Sequence, residues 1–206
     1  MAAYDQMILD AFRSETYVNN RMDVQHTPIY DTIEIAAASQ VTELTTAFFT
    51  NVGPASNKTK AQTNMSQSRR LPAPEAFSIF GFRLRWREDI LPADLFGILN
   101  NFVLQFYLGQ KIYQEAPLWY FSPGGGVNAV VTLAGASTAT TIDYFTNGVP
   151  HRESMHKLAI PIVIENQMTF WAQLSGGTFT LATSANGGTG LQLQLILDGF
   201  YARGVQ

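Results

Sequence analysis

Apolar side chains recur along this chain first at helical and then at alternating spacing. Tyr4, Met7, Ile8, Ala11 and Phe12 share one face of a short amphipathic helix, with Asp5, Asp10 and Arg13 elsewhere. Ser14 to Pro28 is polar and aperiodic, which predicts an N-terminal arm over 1–28 and one domain over 29–206. After Pro28 the period becomes two. Ile29, Asp31, Ile33 and Ile35 share one side of a strand, and Val41 to Phe49 predicts the next.

Gly53 to Glu75 is a long polar connection carrying Lys58, Lys60, Arg69 and Arg70. It closes on Leu71-Pro72-Ala73-Pro74, which cannot continue a ladder. A connection of this length tends to be functional or interface-forming. The clearest strand follows, with Phe82, Leu84 and Trp86 on one side and Arg83, Arg85 and Arg87 on the other. Phe77 and Ile79 have the opposite parity, which predicts a bulge at Ile79-Phe80-Gly81. Asp94 to Asn101 reads as one or two helical turns capped by Asp94. Val103 to Leu108 and Lys111 to Phe121 read as strands, and Ser122 to Gly126 as a turn.

The remainder is β in pattern. Leu158, Ile160, Ile162 and Ile164 alternate, and Met168, Phe170, Ala172 and Leu174 keep that parity. Phe179 and Leu181 fit a short strand, and Leu191, Leu193, Leu195 and Leu197 a long central one. Eight to ten strands at this spacing predict an all-β antiparallel sandwich or barrel with a short N-terminal helix and one short inserted helix. Phe82, Leu84, Trp86, Leu193 and Leu195 are its expected core.

Composition changes this picture in one respect. Charged residues make up 14% of the 206, against roughly 25% in ordinary soluble domains, a deficit of about twenty charges. Interface cores are depleted of charge in this way, because unpaired charge is costly to desolvate. A merely polar, uncharged surface is the alternative. With no cysteine, disulfides and Cys-based metal sites are excluded. The net charge of −3 exerts no general pull on nucleic acid, and no specific nucleic-acid binding is expected. No apolar run is long enough to span a bilayer, and the first residues lack the pattern of a signal peptide.

Candidate chemistry is sparse. His151-Arg152-Glu153 with His156 offers three ligand types, but the spacing matches no metal signature and reads as a solvated loop. Gly124-Gly125-Gly126 lacks the Lys and the helix that phosphate cradling needs. The expectation is a non-enzymatic protein without metal or cofactor. The sequons at Asn57 and Asn64 read as chance matches. The Arg83, Arg85, Arg87 stripe could meet phosphates, a neighbour's carboxylates or lipid headgroups, or could pair with acids across its own sheet. Trp119 and Tyr120 are the one candidate sugar platform, although such aromatics more often belong to a core.

In the order of its features the chain resembles the capsid proteins of tailless, icosahedral, membrane-containing bacteriophages. The resemblance rests on the N-terminal arm, Leu71-Pro72-Ala73-Pro74-Glu75-Ala76-Phe77 entering a strand, and a short helix before Val103-Leu104-Gln105-Phe106. Pro117-Leu118 to Gly126 and the closing Leu191 to Tyr201 strand complete it. It implies a single jelly roll acting as a structural virion subunit assembled in the host cytoplasm. Its partners would be copies of itself and other capsid proteins, with an internal membrane left open. Expected assembly contacts are Tyr4, Met7, Ile8 and Phe12 on the arm, with Arg69, Arg70, Arg83, Arg85 and Arg87. A jelly-roll receptor- or carbohydrate-binding module, such as a phage spike, is the alternative.

Overall fold

The computed structural model describes residues 22–53, 56–121, 128–130, 144–149, 156–183 and 189–204. Among these described residues, twelve strands and one α-helix run in the order β1 (Met22–His26), β2 (Ile29–Ile35), β3 (Gln40–Val41), β4 (Ala76–Trp86), α1 (Pro92–Asn101), β5 (Phe102–Leu108) and β6 (Lys111–Pro117). There follow β7 (Asn128–Val130), β8 (Tyr144–Thr146), β9 (His156–Ile164), β10 (Phe170–Gly176), β11 (Phe179–Thr180) and β12 (Leu191–Gly204). All the pairings are antiparallel.

β12 is the spine of a five-stranded sheet. It pairs with β4 along one side, and β9 lies beyond β4. On its other side β2 and then β1 occupy the same edge, Ile29 opposite Leu197 and His26 opposite Phe200. The two strands keep one register and are separated by Thr27-Pro28, where proline has no N–H to give the ladder. The second sheet is ordered β10-β5-β6, and Phe48 bridges Ala172 on the outer edge of β10. The pairs therefore nest: β5 with β6 innermost, then β4 with β9, Phe48 with β10, β2 with β12, and β1 with the end of β12 outermost.

Alternation drives the two sheets together. Phe82 from β4 meets Phe106 from β5 at 5.4 Å and 68°, and Phe106 meets Phe170 from β10 at 6.3 Å. All five residues expected in the core are buried, Phe82, Leu193 and Leu195 completely. Close packing extends to the backbone. A Cβ at Gly199 would lie 2.2 Å from the Ser78 carbonyl oxygen, so only glycine lets β12 approach β4 there. The bulge expected at Ile79-Phe80-Gly81 is present: Ile79 faces Gly199 and Gly81 faces Asp198, with Phe80 extra.

Five local expectations are corrected. Val41 to Phe49 is not a strand, because β3 ends at Val41 and a 3-10 turn spans Leu44–Thr46. Its cause is side-chain competition: the Thr45 hydroxyl takes the Thr42 N–H at 2.8 Å, and the Thr46 hydroxyl donates to the Thr42 carbonyl at 2.9 Å. Residues 22–26, read as aperiodic, form β1. α1 begins at Pro92 with Leu91 as N-cap, and Asp94 lies inside its first turn. β6 stops at Pro117 and Leu118–Tyr120 turn as a 3-10 helix. Ile160 breaks the expected alternation and is 79% exposed. It sits in a bulge of β9, where Ile162 faces Ile79 but the next pair is Lys157 with Gly81.

Candidate functional site

The outer face of the five-stranded sheet changes character at the Phe80 bulge. Below it the face is apolar, with His26, Phe80 and Phe200 forming a ring trio at 5.5–5.6 Å. Above it the face carries Thr32 and Glu34 from β2, Arg83 and Arg85 from β4, and Gln192, Gln194 and Asp198 from β12.

The long connection covers this polar half as a strap. Thr63 bridges Asp31, Tyr30 donates its N–H to the Asn64 amide oxygen at 3.0 Å, and Gln194 reaches the Ala61 carbonyl at 2.9 Å. The otherwise open edge of β2 is thereby satisfied. Asn64 also donates to the Pro28 carbonyl at 2.8 Å, so this sequon nitrogen holds the strap in place.

Asp31 anchors the strap from within. It shares the core-facing parity of Ile29 and Ile33 and is fully buried. It accepts from Lys58 Nζ at 2.7 Å and from the Phe49 N–H at 2.7 Å. Burial raises its carboxyl above the ordinary value of 3.8, and the Lys58 and Phe49 contacts hold the rise back.

The arginines expected to act together are dispersed. Arg83 forms a two-pronged ion pair with Asp198 across the β4–β12 ladder, the compensation available to charges on a sheet face. Arg87 pairs with Asp89. Arg85 and Arg87 share a cleft with Thr32, Gln62, Glu88 and Gln192, but Glu88 and the adjacent Glu34 cancel its positive charge. Arg69 lies elsewhere, its guanidinium 5.4 Å from the Trp171 ring centre. Trp171 in turn stacks on Tyr107 at 4.7 Å and 4° on the outer face of the second sheet. Arg70 faces a separate cleft with Arg203. Tyr4, Met7, Ile8 and Phe12 lie outside the described residues, as do His151, Arg152 and Glu153.

Trp119 and Tyr120 are not core residues, standing 60% and 48% exposed. The turn that ends β6 presents them outward while Leu118 and Phe121 pack inward. Tyr120 lies 4.5 Å from the His156 ring, which joins the β6 end to β9. Burial lowers the His156 pKa below 6.5. Ile112, Tyr113 and Ile160 are further large apolar side chains exposed on these same two strands. Sequence reasoning singled out Trp119 and Tyr120 but missed Ile112, Tyr113 and Ile160, because their positions fit ordinary strand patterns that do not mark exposure.

Among the described residues no helix is long and apolar enough to cross a membrane, and no three ligating side chains form a metal cluster. Comparison with protein-family models, curated proteins and solved structures found no match.

Proposed function

We propose that this chain is a jelly-roll shell subunit, assembling with copies of itself and with other capsid proteins into the icosahedral particle of a virus. The roll is supported by the nesting of β2–β12, Phe48–β10 and β4–β9 around the β5–β6 hairpin, the order expected of one long hairpin wrapped into two facing sheets. The role in assembly rests on the apolar side chains left exposed along β6, its closing turn and β9, namely Ile112, Tyr113, Trp119, Tyr120 and Ile160, which a neighbouring subunit would cover. The low charge content of the chain agrees with that reading. Its work is structural: the free energy of burial between copies takes the place of catalysis.

Sedimentation and electron microscopy of the full chain test this. Large regular assemblies are expected. A protein that stays monomeric at high concentration and makes no partner contact in any native particle would refute the proposal. The exposure of Trp119 and Tyr120 also favours the second reading, a carbohydrate-binding roll. In that case Trp119→Ala abolishes sugar binding and leaves the oligomeric state unchanged.

A further inference from the structure

A cleft of about 140 Å³ lies where β1, the end of β12 and the strap converge. Ile29 and Leu71, both buried, form part of its floor, and Arg70 and Arg203 stand at its rim with the hydroxyl residues Thr27 and Ser66. Among the described residues neither guanidinium belongs to an ion pair. Two acids stand close by and bond elsewhere. Asp23, opposite Arg203 in the β1–β12 ladder, accepts from Gln25 Nε2 at 3.0 Å, and Glu75 accepts a hydrogen bond from the Tyr201 hydroxyl. Neither acid lines the cleft. The result is a small concavity with two guanidinium groups and no lining carboxylate.

The walls are held before any ligand arrives. Arg69 adopts a left-handed backbone at φ 60°, and its N–H and carbonyl bond Phe49 and Phe170 at 2.8 and 2.7 Å. This pinning separates the two neighbouring arginines, Arg69 to Trp171 and Arg70 to the cleft. The Leu71 carbonyl accepts the Gln167 N–H at 3.1 Å, and Asn64 fixes the opposite wall through Pro28 and Tyr30. Fixed walls reduce the ordering cost of binding.

We propose that this cleft binds a phosphate-class oxyanion, with Arg70 and Arg203 as its charge partners and the Thr27 and Ser66 hydroxyls as neutral donors. Planar guanidinium forks match tetrahedral oxyanions, and the volume suits one such group. The anion is supplied either as free phosphate or as the headgroup of an anionic phospholipid. The inference does not depend on the shell proposal.

The test is titration of the full chain with inorganic phosphate, together with cosedimentation on phosphatidylglycerol and on phosphatidylcholine vesicles. Arg70→Gln, Arg203→Gln and, as a control from the same loop, Arg69→Gln are compared after melting curves establish that each folds. Saturable phosphate binding is expected, weakened about tenfold or more by either cleft substitution and untouched by Arg69→Gln. Phosphate binding without vesicle binding assigns a soluble anion. Sedimentation with the anionic vesicles alone, lost in the two cleft variants, assigns the headgroup. Failure of both probes, or an equal loss in Arg69→Gln, overturns the proposal.

Discussion

Asp31 shows how one residue can tie a strap to a core. Its carboxylate is fully buried, and Lys58, whose side chain keeps 15% exposure, reaches in from the strap to meet it. Removing one member of such a pair strands the other, so Lys58→Ala is expected to cost about 2–3 kcal/mol at neutral pH. The Asp31 pKa already lies above 3.8 in the folded state, through burial, and loss of Lys58 raises it further. The folded variant then takes up a proton at a pH where the unfolded chain does not. The deficit of the variant relative to wild type should therefore shrink as pH falls through the variant's raised value, and level off once wild-type Asp31, whose own value already lies above 3.8, is protonated too. Urea unfolding of both proteins from neutral pH to acid measures this. A deficit that stays constant or grows on acidification would contradict the assignment. His156 carries the opposite sign. Its lowered folded pKa means that its neutral form is favoured by the fold, so its contribution is lost as pH falls through 6.5 and on to the lowered value.

Among the elements, α1 shows best how a polar group can settle the placement of a neighbour. Pro92 starts the helix because the missing N–H at a first-turn position costs nothing. Asp94, buried within that turn, turns its carboxylate to the Ala182 N–H at 3.1 and 3.2 Å, just after β11. Gly97 leaves room for the Phe179 ring, whose nearest carbons lie 2.3 Å from where a Cβ would stand. Asp94→Ala should therefore leave the half-buried Ala182 N–H without this acceptor and lower stability by about 1–2 kcal/mol. Asp94→Asn, which keeps an acceptor oxygen, should recover most of that loss. Denaturant midpoints of the two variants separate this role from a general helix-dipole effect, for which Asn would be as poor as Ala.

On the scale of the molecule, both sheets spend their inner faces on one shared core. Two outer edges are closed from within: the strap covers β2, while Phe48, Thr46 and Arg69 bond the backbone of β10. β6 and β9 expose Ile112, Tyr113 and Ile160 instead. Deleting residues Met1 to Asn20 is expected to leave a folded domain that assembles poorly, and Met7, Ile8 and Phe12 changed together to Ser should do the same. An isolated helix of this length is marginal in water and persists by docking its apolar face. Sedimentation and melting curves on the same samples decide the outcome. Variants that melt earlier yet still multimerise would place the arm on its own domain and end its role between copies.

Periodicity alone determined a good deal. The all-β class, the inward faces of β2, β4, β10 and β12, and the bulge at Phe80 all follow from alternation, because a strand pointing every second side chain into a core must write that choice into its sequence. The low charge of the chain was equally legible. Tertiary structure decided the rest. Whether Thr45 and Thr46 extend a strand or bond their own backbone depends on local competition that periodicity does not register. Which arginine meets an acid depends on register: Arg83 finds Asp198 only because β12 lies beside β4 with Ile196 opposite Arg83, which puts Asp198 two residues along on the same face. The cleft between Arg70 and Arg203 unites residues more than a hundred positions apart. Such contacts arise from chain topology, and a linear sequence carries no marker for the partner that folding brings alongside.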